Sequence, residues 1–441
     1  MKAVLLAAGR SQRMQPVPDK NFLMFLGKPL VVHQIEQLIN AGFRDIIVVG
    51  GAHNLNSLKA LPKSFDFKKA KIAFVEQKNL DDGMAGAIMS LKNIIKNNEP
   101  VIFVSSNDVV DAKAFGLMKK ACSDKKNDSC ILAKKLTKYF PGGYLKTNKQ
   151  GYIQKIVEKP GEGKEPSDLV NIVIHCHKNP KKLIEVLEKT KTTKDDRYEM
   201  ALDKLIKAGY KLKAVEYDGF CQPVKYPWHV FKVMNFFLKN IKKKISWKAK
   251  ISKRAVVNGP VIIEDGVKIY DNAVINGPAY IGKNTIIATS ALVRDSMINE
   301  NCVIGFATEI ARSYLGNAVW THTNYIGDSI ISDNCSFGSG TVTGNLRLDE
   351  GNITVNIRGE KINSGMNKFG LITGENIRAG INTSFMPGIK IGSNSMIGAG
   401  IIIPYDIPEN SFVKGKVDLE IKPNKAKVSN GSREEMMKKL K

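Results

Sequence analysis

From Ile251 onward an aliphatic residue stands at every sixth position: Ile251, Val257, Ile263, Ile269, Ile275, Ile281, Ile287 and Val293. A helix repeats roughly every 3.6 residues and a strand roughly every 2, so neither produces this spacing. A step of six is one side of a triangular coil, with the aliphatic residue pointing inward and Asn, Gly and Asp at the corners. The chain is therefore expected to stack coil on coil into a stiff β-solenoid. The period returns at Phe385, Ile391, Ile397 and Ile403. Between Asn345 and Phe369 it breaks, which reads as an excursion loop with a hairpin, and such loops on a rigid scaffold tend to carry function.

The first half reads differently. Lys2 to Leu6, Asp45 to Val49 and Pro100 to Val104 read as strands, and Leu30 to Ala41 and Gly83 to Ile95 as amphipathic helices. This alternation predicts βαβ units, a mostly parallel Rossmann-like sheet and ligands at the carboxyl ends of the strands. Expected boundaries are an α/β domain over 1–235, a Lys-rich linker over 236–250, the solenoid over 251–420 and a charged tail over 421–441.

The 441 residues carry 67 Lys+Arg against 42 Asp+Glu, a formal charge of +25. Of the cations 56 are Lys, spread over the whole chain without the Arg clusters and interleaved aromatics of base readout, so small anionic substrates are expected, not nucleic acid. No stretch approaches the roughly 20 uncharged residues of a membrane helix, and no membrane partner is expected. The apolar run Ala3 to Ala8 is too short for a signal-peptide core. Six scattered cysteines form no Cys-x-x-Cys pair, and a cytoplasmic location is the expectation.

Leu5-Ala-Ala-Gly-Arg-Ser-Gln-Arg-Met14 follows the first strand directly. Such a loop offers backbone N–H groups to phosphate oxygens, and Arg13 and Lys20 add cations. Taken alone it equally suits an ordinary turn with two surface cations. In company with Gly27-Lys28-Pro29, Gln77, Gly83-Met84-Ala85, Asn107-Asp108, Gly142-Gly143-Tyr144, Glu158-Lys159, Asn171 and Pro227-Trp228, the region resembles the sugar-1-phosphate nucleotidylyltransferases. The resemblance implies in-line attack of a sugar 1-phosphate on a nucleoside triphosphate, UTP or dTTP. It assigns Ala8, Gly9, Gln77 and Gly83 to the nucleotide, Arg13 and Lys20 to catalysis, Asp108 to Mg2+, and Gly143, Glu158 and Asn171 to the sugar. The chain departs from the family pattern at Ser11, Gln12, Asp19, Met84 and Asn107. Where a second metal carboxylate is expected, four residues before Pro227, it has Pro223.

His322 opens His322-Thr-Asn-Tyr-Ile-Gly-Asp-Ser329, where the six-residue period stutters, and Phe337-Gly-Ser-Gly-Thr-Val-Thr-Gly-Asn-Leu346 follows. A lone histidine in a repeat protein is ordinarily a structural hydrogen-bonder. This stretch, however, resembles the acetyltransferase half of the bifunctional enzymes that make UDP-N-acetylglucosamine, whose solenoid is a left-handed parallel β-helix of hexapeptide repeats. The resemblance implies that His322 is a general base, a role suited to imidazole. It places Tyr325 and Asn345 on the amino sugar and acetyl-CoA at Ser339, Ile381 and Ala399. Arg358, Lys361 or Lys368 would hold the sugar phosphate, and Asp328 would either support His322 or turn a corner. It also implies a homotrimer. Two alternatives share this architecture: a nucleotidylyltransferase with the solenoid as scaffold, and a non-catalytic subunit resembling those of translation-initiation exchange factors.

Overall fold

The computed structural model describes residues 1–95, 99–192, 196–416, 418–427 and 431–440. Residues 417, 428–430 and 441, which belong to the expected solenoid end and tail, lie outside them. Elements of the first domain are β1 (Lys2–Leu6), α1 (Leu30–Asn40), β2 (Asp45–Gly51), α2 (Leu55–Ser64), β3 (Lys71–Gln77), α3 (Gly83–Met89), β4 (Val101–Ser105), β5 (Asp108–Val110), α4 (Lys113–Ser123), β6 (Ser129–Lys135), β7 (Gly143–Thr147), β8 (Ile153–Glu158), β9 (Leu169–His177), α5 (Pro180–Glu188), α6 (Arg197–Lys207), β10 (Leu212–Glu216), β11 (Cys221–Pro223) and α7 (His229–Lys239).

The main sheet runs β8-β7-β9-β4-β1-β2-β3, with β6 beside β9 and β10 beside β6. Strands β4, β1, β2 and β3 are parallel, and β9 joins β4 antiparallel. Because β1 has β2 on one side and β4 on the other, strand order reverses there, and a crevice opens at the carboxyl ends of β1 and β4. The loops carrying Gly9 and Asn107 leave at that crevice, and Asp108 opens β5 beside them.

One disulfide, which the cysteine spacing did not signal, joins Cys122 of α4 to Cys176 of β9.

In the solenoid each turn closes after three steps. Val256 pairs with Val274 and Lys268 with Ile286, both eighteen positions on. The inward residues are those of the six-residue period: Ile263, Ile269, Ile275, Ile281, Ile287 and Val293 are all buried in one column. Burying such a side chain contributes about 2 kcal/mol, so the column dominates the stability of this half. Corners turn through left-handed backbone at Asn272, Asn284 and Asn301, a conformation Asn tolerates better than other side chains. Ile330 pairs with Ile372, 42 positions on instead of 18, so 24 residues leave the coil between them (42 − 18). They form a hairpin, Thr354–Ile357 with Glu360–Asn363. The coil is a left-handed parallel β-helix.

The two halves share a core. Phe231, Val233 and Met234 of α7 pack with Tyr280, Met297, Tyr314 and Ile372 on one solenoid face, and Val355 and Ile357 of the hairpin join them. Among the described residues no helix is long and apolar enough to cross a membrane.

Candidate active sites in the two domains

A cleft of about 810 Å3 occupies the crevice of the first domain. Ala8, Gly9, Gln77, Gly83, Asn107, Glu158, Arg197 and Tyr198 line it; five of the ten residues expected there from sequence are among them, whereas Arg13, Lys20, Asp108, Gly143 and Asn171 are not. Gln77 is buried, and its Nε2 donates to the carbonyls of Asn79 and Gly83, each at 2.9 Å. Both partners are acceptors, which fixes the amide and leaves Oε1 as an acceptor on a residue that lines the cleft.

Lys20 is buried and donates to the Val224 carbonyl at 3.3 Å. Burial is the main reason that its pKa falls to about 8, with Asp19 pulling the other way. The replacements at Ser11 and Asp19 compensate each other. Ser11 Oγ accepts from the Lys20 backbone N–H and donates to Asp19, whose carboxylate also accepts from Asn21 and Asn54. Arg13 is exposed and lies 5.6 Å from the Tyr226 ring centroid.

Asp108 accepts the Val173 N–H at 3.0 Å through Oδ2. Desolvation pushes its pKa up, while Lys225, that N–H and Lys20 pull it down. Pro223 stands opposite it in the β11–β5 ladder, and neighbouring Gln222 turns its amide onto the Pro223 carbonyl. Among the described residues no group of three His, Cys, Asp or Glu side chains could hold a metal ion. Magnesium commonly takes one or two carboxylates and completes its shell with phosphates and water, so Asp108 Oδ1 fits an ion that arrives on a triphosphate.

Lys225, which no sequence motif marked, is a further cation of this region. It donates to the Pro141 carbonyl at 3.2 Å and lies 4.3 Å from the Phe140 ring centroid, close enough to influence Asp108. Its signal was a lysine two positions after the missing carboxylate. Gly143 pairs with Glu158 across β7 and β8. A Cβ on Gly143 would lie 3.1 Å from Glu158 Oε2 and 3.6 Å from Asn171 Nδ2, so these three positions converge.

In the solenoid Tyr325, Asp328 and Asn345 come together. Asn345 Nδ2 donates to Tyr325 Oη at 3.1 Å and to Asp328 Oδ2 at 2.5 Å. Asp328 is buried, turns a corner at φ 48° and is gripped by Arg312 through two bonds of 2.6 Å. Asp328 thus turns a corner while holding Arg312 and Asn345. Arg312 is the residue missed here, because no local motif marks it. Any Cβ on Gly327 would fall 2.5 Å from Tyr325 Oη, so a glycine lets the ring fold over the corner. A shallow cleft beside this group is lined by Arg312, Asp328, Asn352, Met366 and Lys368. Of the three expected phosphate cations Lys368 is on it, whereas Arg358 and Lys361 sit on the hairpin.

His322 is exposed at a different corner. That corner stacks upward through the Gly340 N–H on the Thr323 carbonyl, the Asn382 N–H on the Ser339 carbonyl and the Gly400 N–H on the Ile381 carbonyl. Ser339, Ile381 and Ala399 therefore form one exposed column above His322, apart from the Arg312 cleft.

A family model described as nucleotidyl transferase matches residues 2–247, and one described as bacterial transferase hexapeptide (six repeats) matches residues 260–295. "Bifunctional protein GlmU" of Methanococcus vannielii is 34% identical over 439 residues, spanning 96% of this chain and 99% of its own. This chain belongs to the GlmU family of bifunctional enzymes. The GlmU of Methanocaldococcus jannaschii is 33% identical over 431 residues, spanning 95% of this chain and 98% of its own. The "Bifunctional sugar-1-phosphate nucleotidylyltransferase/acetyltransferase" of Sulfurisphaera tokodaii is 31% identical over 422 residues, spanning 94% and 100%. Because GlmU likeness runs through both halves, it favours two activities over the scaffold and regulatory-subunit alternatives.

Proposed function

We propose that this GlmU-family chain acetylates an amino-sugar 1-phosphate, glucosamine 1-phosphate foremost, with acetyl-CoA in the solenoid, and transfers a uridylyl or thymidylyl group to a sugar 1-phosphate in the α/β cleft. The observation that carries the nucleotide assignment is Gln77. With Nε2 spent on two carbonyls, its Oε1 accepts from a base N–H. Uracil and thymine offer an imide N–H there, whereas the corresponding ring nitrogens of cytosine and adenine are acceptors and would repel it.

In the cleft, backbone N–H groups at Ala8 and Gly9 hold the triphosphate, and Arg13 and Lys20 neutralise charge that grows as the phosphate is attacked. Asp108 would hold Mg2+, which supplies Lewis-acid stabilisation of the phosphates when bound. Gly143 leaves room for the sugar between Glu158 and Asn171.

In the solenoid, His322 takes the proton from the amino group as it attacks the thioester, and the backbone N–H near Ser339 stabilises the oxyanion. Tyr325 and Asn345 orient the sugar, Arg312 and Lys368 meet its phosphate, and CoA follows the column of Ile381 and Ala399. Since His322 stands apart from the Arg312 cleft, a neighbouring copy completing each site accounts for both positions, and we assign a homotrimer. A cytoplasmic location suits these substrates, and both residues of the Cys122–Cys176 bond are buried.

The test is a paired assay, free thiol from acetyl-CoA plus glucosamine 1-phosphate and pyrophosphate from each triphosphate plus sugar 1-phosphate. UTP or dTTP should exceed CTP and ATP. Preference for CTP or ATP would contradict the role given to Gln77.

A further inference from the structure

Beneath the sugar end of the cleft lies a buried polar chain that neither activity yet accounts for. Asn171, His175 and His177 alternate along one face of β9, and a register shift between Ile172 and His175 bends the strand. His175 Nε2 meets Asn171 Oδ1 at 2.6 Å, and His175 Nδ1 meets Tyr198 Oη at 2.6 Å. Tyr198 Oη meets His177 Nε2 at 3.0 Å, and His177 Nδ1 meets Ser129 Oγ at 2.8 Å. His175, His177, Tyr198 and Ser129 are all buried, and Tyr198 stacks on His175 with ring centroids 5.4 Å apart.

Each link in this chain has one proton, so orienting one end orients all of it. Asn171 sets the sense. Its Nδ2 and the Glu158 carboxylate border the same point above Gly143. Its Oδ1 is the atom set against His175 Nε2, which leaves Nδ2 on the side of Gly143 and Glu158. Oδ1 then faces inward and needs a donor, which makes His175 protonated at Nε2 and bare at Nδ1. The Tyr198 hydroxyl donates to that Nδ1, His177 Nε2–H donates to the Tyr198 oxygen, and the Ser129 hydroxyl donates to His177 Nδ1. Burial keeps both imidazoles neutral, pushing His177 down to about 3 and His175 well below the usual histidine range.

We propose that Ser129, His177, Tyr198 and His175 are positioning residues that lock Asn171 with its amide N–H aimed into the cleft, making Glu158 and Asn171 a fixed acceptor–donor pair that selects a sugar 1-phosphate by its hydroxyl pattern. The ligand class follows from the pair. A ring hydroxyl that donates to Glu158 can sit beside one that accepts from Asn171, so the site takes an intact vicinal diol edge and rejects the deoxy sugar. A purely structural core would hold apolar side chains here at less cost than four buried polar ones. No buried side-chain polar atom of Ser129, His177, Tyr198 or His175 lacks a partner, and an ordered network of that kind fixes one geometry. The selectivity part rests on the nucleotidyl-transfer reading, whereas the proton order does not.

Two measurements on the full chain separate the parts. Solid-state 15N spectra of histidine-labelled protein, assigned with His175→Gln and His177→Gln, report the tautomers directly. Both imidazoles are expected neutral with Nε2–H. An Nδ1–H tautomer or an imidazolium at His175 overturns the proposal, whatever the enzyme does with sugars. Kinetics then test the consequence. Asn171→Asp keeps an oxygen for His175 but turns the donor into an acceptor beside Glu158, and Tyr198→Phe cuts the chain in the middle. Either should raise KM for the sugar 1-phosphate by about tenfold or more with KM for the triphosphate changed less than about twofold. Equal rises for both substrates, or no rise in either variant, overturn the positioning role. If wild type turns over no sugar 1-phosphate, the nucleotidyl-transfer reading fails, and with it the selectivity. The spectra still decide the proton order.

Discussion

Pro223 faces Asp108 across the antiparallel ladder of β11 and β5, at the place where a second carboxylate would complete a two-acid metal site. The ammonium of Lys225, two residues on, lies near enough to act on Asp108. The chain thus brings one acid and one cation to a position that could have held two acids, and an ion held there would share its shell with the substrate phosphates.

Asp108→Ala should cut nucleotidyl transfer by about 100-fold or more while leaving acetyl transfer unchanged. Pro223→Asp should lower the Mg2+ concentration needed for half-maximal pyrophosphate release by adding a ligand, and Lys225→Met should lower it too by removing a cation that repels the ion. Magnesium titrations of the three variants, with thiol release as the internal control, check this.

Lys20 gives a pH signature. Its pKa of about 8 means the amine is charged below that pH and neutral above it. Hence kcat/KM for the triphosphate should fall as pH rises past about 8, while kcat, measured with phosphates bound beside the amine, holds to higher pH. Folding lowers this pKa, so the unfolded chain binds the extra proton between about 8 and the ordinary lysine value. Stability from this group should rise with pH across that window. A pH profile of Lys20→Met without the alkaline fall completes the test.

Asp328 organises the solenoid cleft by holding Arg312 and Asn345 together. Asp328→Ala should lower acetyl transfer by about tenfold or more and leave pyrophosphate release intact. It should cost about 2 kcal/mol in stability, less than for a fully buried pair because Arg312 is a third exposed. Denaturation midpoints and thiol assays on the same preparation read both.

The Cys122–Cys176 bond closes a loop of 54 positions. Replacing both cysteines with Ser should destabilise the first domain by about 4 kcal/mol on the chain-entropy model, without changing KM for either substrate. Denaturant melts under non-reducing conditions measure it.

The sequence carried the solenoid openly, because six-residue spacing has one structural solution and Ile263 to Val293 obey it. It also carried the cleft residues at strand ends and on the loops leaving them, such as Gln77, Gly9 and Asn107. What it hid was side-chain partnership across long separations. Arg312 looks like any corner residue until Asp328 arrives beneath it one coil later. His175 and His177 look like strand positions until Tyr198, from another element, bridges them. Asp19 and Ser11 looked like losses from a motif and turned out to hold each other. Pairing of Cys122 with Cys176 depended on α4 packing over β9, which no spacing rule encodes.

The most direct test of two independent activities in one chain is free-thiol release from acetyl-CoA and glucosamine 1-phosphate, measured beside pyrophosphate release for wild type, His322→Ala and Asp108→Ala. His322→Ala is expected to lose thiol release and keep pyrophosphate release, and Asp108→Ala to do the reverse. Absence of thiol release in wild type, or undiminished release in His322→Ala, would contradict this expectation.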